Sequence, residues 1–204
     1  LNGLKKPIFY DDNNFFVSNM SYQEDGTKKS YKESFSFESD ADIVYNLNYS
    51  LLGAINFFNT NLYIEDADFE KICSEDALNI ISSKFYLSNS TFSDNCSDSI
   101  DVDFGEGKII NSKFSNIGND AIDFSGSVVE LEKISLDNVG DKIVSAGENS
   151  NIKIIDLNGN ESFLGIASKD GSIVTLENIN LNNVKIGLAS YVKKSEYGNG
   201  KIFA

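Results

Sequence analysis

The stretch SDSIDVDF (97–104) sets Asp98, Asp101 and Asp103 around the apolar residues Ile100 and Val102. One period later, NDAIDFSG (119–126) repeats the pattern with Asp120 and Asp123 around Ile122 and Phe124. One period earlier, EDALNIIS (75–82) offers Asp76 and Asn79. Carboxylates in such number suit two kinds of chemistry. Calcium takes roughly six to eight hard oxygens at about 2.3–2.6 Å, and glycoside cleavage needs one carboxylic acid and one carboxylate about the bond. The candidate calcium ligands are Asp98, Asp101, Asp103, Asp120 and Asp123, with Glu106 nearby, although no compact EF-hand or nonapeptide calcium motif is present. A plainer reading makes Asp76, Asp98, Asp120 and Asp141 one column of bend-capping residues beside a solvated acidic face. Two carboxylates about 5 Å apart repel by roughly 1 kcal/mol in water and by several at an effective dielectric near 20. Cations, Lys142 or a raised pKa must offset that.

Composition narrows the chemistry. The 204-residue chain has 31 acidic and 17 basic residues, a formal net charge of −14, and no histidine or tryptophan. Every basic residue is lysine. Without clustered arginine and lysine, nucleic acid and anionic membrane surfaces are poor partners. Missing histidine removes the commonest general base and transition-metal ligand. No 18-residue apolar run is present for membrane insertion. The chain opens on Leu1 rather than Met, as a mature or trimmed segment does, so the expected location is extracellular or at a cell surface.

The elements that must position the acidic row are repeats. A six-residue frame (apolar, any, often Asn, any, any, then aromatic or Leu) recurs as VSNMSY (17–22), VYNLNY (44–49), IEDADF (64–69) and LSNSTF (87–92). It continues from Ile109 to Phe114, Leu131 to Leu136, Ile152 to Leu157 and Leu176 to Leu181. A second frame lies between these, centred on Ile55, Leu78, Ile100, Ile122, Ile143, Ile166 and Leu188. Each period of about 22 residues thus holds short alternating segments, rich in β-branched and aromatic residues, joined by Ser, Asn, Gly and Asp turns. Stacked coils of that length make a parallel β-solenoid. Leucine-rich repeats share the period but need a Leu-dominated frame that is absent here.

The pattern resembles the right-handed parallel β-helix repeat of the pectin-lyase-like superfamily over residues 15–204. The resemblance implies an all-β fold of about eight coils, each of about 22 residues, with 1–14 as an N-terminal cap or lead-in and the charged stretch 23–34 as an insertion. The terminal GKIFA (200–204) reads as the start of a further coil, so continuation in a longer chain or end-to-end assembly is expected. Related polygalacturonases carry Asn-Thr-Asp, then Gly-Asp-Asp one coil on, then Gly-His-Gly and Arg-x-Lys. The matching coils here read Cys96-Ser97-Asp98, Gly118-Asn119-Asp120 and Val139-Gly140-Asp141, so only Asp98 and Asp120 carry over.

Further expectations attach to single columns. Asn19, Asn46, Asn89 and Asn111, with Asp66 and Asn178, should form a turn ladder. Cys73 and Cys96 should stack on adjacent coils, either as a disulfide or as two buried thiols. Phe104 and Phe124 should face the core, and Tyr191 an edge or loop. The favoured function is a non-catalytic scaffold or carbohydrate-facing module whose acidic face binds calcium. The alternative is an enzyme on acidic polysaccharide, a lyase before a hydrolase, with Lys142 or Lys169 as base.

Overall fold

The alternation of β-branched and aromatic residues with polar ones does produce strands, wound into a parallel β-solenoid of about six turns. The computed structural model describes residues 53–204, together with the backbone of three short strands, Phe9–Asp11 (β1), Asn14–Ser18 (β2) and Ser21–Gln23 (β3). Every described pairing is parallel except β1 against β2. No helix long and apolar enough to cross a membrane occurs among the described residues.

Each coil contributes to three sheets. The first contains Gly53–Phe58 (β4), Asp76–Ile81 (β7), Asp98–Asp103 (β10) and Ile122–Ser125 (β13). The second contains Asn61–Glu65 (β5), Lys84–Ser88 (β8) and Glu106–Ile110 (β11). The third contains Asp68–Glu70 (β6), Thr91–Ser93 (β9) and Lys113–Ile117 (β12). Three long strands, Val128–Gly147 (β14), Asn151–Lys169 (β15) and Ile173–Tyr191 (β16), then run through all three sheets, and Lys201–Phe203 (β17) pairs with the start of β16.

Identical positions stack, so the core is a set of columns. Ile55, Leu78, Ile100, Ile122, Val144 and Ile166 form one of them. The rings of Phe69, Phe92 and Phe114 stack at 4.4 and 4.9 Å in another. The parallel ring stacking is imposed by the coil rise, which brings equivalent side chains to about 4.8 Å.

Three turn columns close each coil, and all sit in the left-handed region. One holds Asp66, Asn89, Asn111, Lys133, Asp156 and Asn178, as the turn ladder requires. Asn111 Nδ2 donates to Asn89 Oδ1 at 2.7 Å, and Asn178 Nδ2 to Asp156 Oδ1 at 3.0 Å. These bonds lie at the surface. Buried turn groups are served instead by serines: the hydroxyls of Ser127, Ser150 and Ser172 accept from the N–H of Gly105, Ser127 and Ser150 at 2.9–3.1 Å. Cys73 and Cys96 stack with Cα atoms 4.7 Å apart and are joined in a disulfide.

Four expectations are corrected. Val144, not Ile143, continues the Ile122 column, because β12 and β13 pair with β14 at a constant offset of 22 residues; the register shift between Val139 and Lys142 arises only against β15. Ile154, not Ile152, continues the Leu131 frame; its last position is Gly159, whose missing side chain is filled by Ile143. Phe104 is not core: at φ 53° it is a turn residue, 67% exposed, with its ring lying where a side chain at Gly126 would be. Val17 of β2 pairs directly with Ile64, so no coil is interposed between those frames; the frame at 44–49, with Asn19 and Asn46, lies outside the described residues.

Candidate cation site on the first sheet

The outward positions of the first sheet form three neighbouring columns. The one at the strand entrance reads Gly53, Asp76, Asp98, Asp120, Lys142 and Leu164. Lys142, not Asp141, therefore occupies the fifth place, 22 residues after Asp120, just as Val144 stands 22 after Ile122. The next column reads Asn56, Asn79, Asp101, Asp123, Ser145 and Ala167. The third brings together Ile81, Asp103, Ser125 and Gly147.

Part of the acidic column has a structural task. Asp98 Oδ1 accepts from the backbone N–H of Asp120 at 2.9 Å and from Asn119 Nδ2 at 2.6 Å. One coil on, Asp120 Oδ1 accepts from the backbone N–H of Lys142 at 3.0 Å. Each carboxylate thus caps the coil after its own, which an uncharged Asn could do equally well.

What capping does not explain is the convergence of a third carboxylate. Ligand oxygens of Asp98, Asp120 and Asp123 all lie within 4.8 Å of one another. A calcium–oxygen distance of about 2.4 Å puts opposite ligands about 4.8 Å apart, so one ion fits within reach of all three. Asp101 and Asp103 stand outside this group, although Asp101 pairs with Asp123 across adjacent strands. Glu106 does not approach it; it belongs to the second sheet and pairs with Lys84 at 3.2 Å.

The carboxylates disfavour one another's charge. Burial first, then Asp103, Asp76, Asp123 and Asp98, push the Asp101 carboxyl up to about 9. Burial also raises Asp76, Asp98 and Asp120 to about 6, against hydrogen bonds and, at Asp120, the charge of Lys142. Asp103 is raised by burial and by Asp123 and Glu148. Asn79, 4% exposed, donates through Nδ2 to Asp76 Oδ2 at 3.0 Å and to Asp101 Oδ2 at 3.4 Å, while its Oδ1 is buried without a hydrogen-bond partner.

Lys142, read from the sequence as a counter-charge or a base, and Lys169, read as a base, both stand here against carboxylates. Lys142 Nζ lies 3.2 and 3.3 Å from the two oxygens of Asp120 and also contacts Asp141. Burial works against its charge, but these carboxylates outweigh burial and hold its pKa above the ordinary lysine value, the wrong direction for a base. Lys169, 7% exposed, reaches across Gly147 to within 3.8 Å of Asp123. The arrangement is a partly dry carboxylate cluster with a lysine near Asp120 and another near Asp123, set on a rigid sheet.

The comparisons with known proteins leave the identification at the level of fold: scanned against family models, curated proteins and solved structures, the chain finds no match, and it is described as a parallel β-solenoid.

Proposed function

We propose that this chain is a non-catalytic module, exported or held at a cell surface, that takes up calcium on its first sheet and faces acidic polysaccharide through the bound ion. The resemblance of its coils to the right-handed pectin-lyase-like repeat belongs to this reading. The observation that carries it is the approach of the Asp98, Asp120 and Asp123 oxygens to within 4.8 Å, in an environment that raises the pKa of Asp98 and Asp120. A hard dication relieves that repulsion, and calcium's loose coordination tolerates ligands fixed by a sheet better than magnesium's strict octahedron does. An ion here also answers a difficulty of recognition. A bare acidic face repels a polyuronate, whereas a bound calcium with open coordination positions bridges the two.

Thermal melts in calcium and in chelator test the reading. A ligand at a hundredfold excess over its Kd stabilises by about 2.7 kcal/mol, so a clear upward shift is expected, and Asp123→Asn should abolish it. Equal melting temperatures in calcium and chelator would sink the proposal.

A second reading has one observation in its favour. Asp98 and Asp120, on adjacent coils, are both raised to about 6, so one proton shared between them would give an acid and a base for glycoside hydrolysis. The raised pKa of Lys142 weighs against a lyase. Turnover of acidic polysaccharide, followed by reducing ends and by unsaturated-product absorbance and lost in Asp120→Asn, would replace the module with an enzyme.

A further inference from the structure

Neither the core nor the cation site explains the exposed ring of Phe104. Asn59, Ser82, Phe104 and Gly126 stack at the turn that follows the first sheet, with φ of 50°, 49°, 53° and 62°. Each donates its N–H to the carbonyl that precedes the same turn one coil on, at 2.7–3.1 Å. The left-handed region disfavours bulky side chains, and the other three places hold Asn, Ser and Gly. An aromatic residue there is an outlier, and such strain persists where it serves something else. Packing is not what it serves, since Phe104 is 67% exposed.

The ring is nevertheless seated. A Cβ at Gly126 would fall 2.6 and 2.8 Å from Phe104 Cδ1 and Cε1, so only glycine leaves room for the ring on that side. Ser82, on the preceding coil, is small and exposed. Polar groups surround the seat. Asp103 precedes Phe104 and pairs in register with Ser125. The Glu148 carbonyl lies just beyond Gly126, and the Glu148 carboxylate is paired with Lys194. After burial and Asp123, these two charges act on the Asp103 carboxyl, Glu148 raising its pKa and Lys194 lowering it, so all three share one patch. Gly126 follows Asp123 by three residues, about 10 Å along an extended chain.

We infer that Phe104 is a stacking platform for one sugar ring of the acidic polysaccharide, a neighbouring uronate of which is held by the ion at Asp98, Asp120 and Asp123. The inference rests on the calcium reading above. An aromatic face standing in water matches the C–H face of a pyranose, and the hydroxyls around that face meet Glu148 and Lys194. Charge favours this occupant. The acidic sheet beside the ring repels an anionic membrane or an acidic protein, whereas a saccharide offers an uncharged face to the ring and its carboxylate to the ion.

The chain has no tryptophan, so Phe104→Trp places a lone fluorescent reporter on the platform. Titration with an oligogalacturonate should shift its emission in calcium and leave it unchanged in chelator. By calorimetry in calcium, Phe104→Asn should raise the oligogalacturonate Kd about tenfold, and Phe104→Tyr should leave it near the wild-type value. Phe104→Asn should also keep the calcium shift and melt no lower than wild type, because asparagine suits the left-handed turn, whereas a packing role would lower the melting temperature. A calcium shift together with wild-type oligogalacturonate affinity in Phe104→Asn would overturn the platform and leave the cation site standing. A wild-type chain with no calcium shift would end the calcium reading and the platform with it. Phe104→Trp emission that answers to oligolysine in chelator, and not to oligogalacturonate in calcium, would overturn the inference in favour of a basic peptide.

Discussion

On the second sheet Lys84 meets Glu106 at 3.2 Å and Lys108 meets Glu130 at 2.6 Å. On the first sheet, the neighbouring side of the same coils, Asp76, Asp98 and Asp120 follow one another with Asp101 and Asp123 beside them. Both faces are stacks set by one repeat length. On the second sheet the hydrogen bond between the partners raises the pKa of Lys108 and lowers that of Glu130, so each favours the other's charge. On the first sheet burial and like neighbours raise Asp76, Asp98, Asp101, Asp103 and Asp120. The solenoid therefore does not require like charges to stack. Where only the scaffold is at stake it alternates them, and departure from that alternation is what marks the first sheet.

The largest expected effect follows from that opposition. Carboxyls whose folded pKa lies above the unfolded value bind extra protons in the native state, so their stabilisation is complete below about pH 4 and is lost as pH rises through the folded value. For Asp76, Asp98 and Asp120 the loss runs through about 6, and for Asp101 it continues to about 9. In chelator, the melting temperature should fall by roughly 10 °C between pH 4 and pH 9. Saturating calcium should remove most of the fall. A melting temperature that rises over this range would show that the paired second sheet, not the acidic first, governs the charge balance.

Next in size is Lys142→Ala. Lys142 is held charged by its contacts with Asp120 and Asp141, and Asp120 is itself 3% exposed. Removing one partner of a buried pair strands the other, and a cost of about 2 kcal/mol is expected above pH 6, shrinking as Asp120 takes up a proton. Urea titrations at pH 5 and pH 8 separate this from simple loss of packing, which would not depend on pH.

Asp101→Asn should act the other way. At pH 8 a carboxyl held at about 9 must take up a proton on folding, and asparagine removes that cost while keeping the shape, so a gain of about 1 kcal/mol is expected, with a flatter pH profile. Because Asp101 stands outside the three-carboxylate group, the calcium shift should survive. Asp123→Asn, by contrast, should lose the calcium shift. If the two variants respond alike to calcium, the group is drawn too narrowly.

How far the sequence reveals these features depends on which physical signal each one leaves. Column membership on the first sheet was readable wherever the repeat length held. Asp101 over Asn79 and under Asp123 needed only a period of 22 or 23. The same period puts Lys142, not Asp141, over Asp120; the likeness of DKI (141–143) to DAI (120–122) points one residue short of it. Phe104 misled because hydrophobicity is a poor guide at a turn whose backbone, not its side chain, sets the position. The buried serine column left a trace that went unread: Ser83, Ser127, Ser150 and Ser172 recur near the coil period. The approach of Asp123 to Asp98 and Asp120, and the positions of Lys142 and Lys169, depend on rotamers and on the lateral spacing of columns. Neither is encoded in a one-dimensional period.

The smallest effect is expected on the second sheet, and it is the control that gives the others meaning. Lys84 and Glu106 are both mostly exposed, with side-chain accessibilities of 71% and 65%. Exposed pairs gain little, since water screens the attraction and ordering two long side chains costs entropy. Lys84→Ala should move the melting temperature by no more than about 2 °C. That small shift should vanish in high salt, where the screening length falls to about 3 Å. Calcium should leave it unchanged, because Lys84 and Glu106 lie on a different sheet from Asp98, Asp120 and Asp123. A Lys84→Ala variant that lost the calcium shift would mean the ion is held by net charge over the whole surface, and the distinction between the two sheets would carry no functional weight.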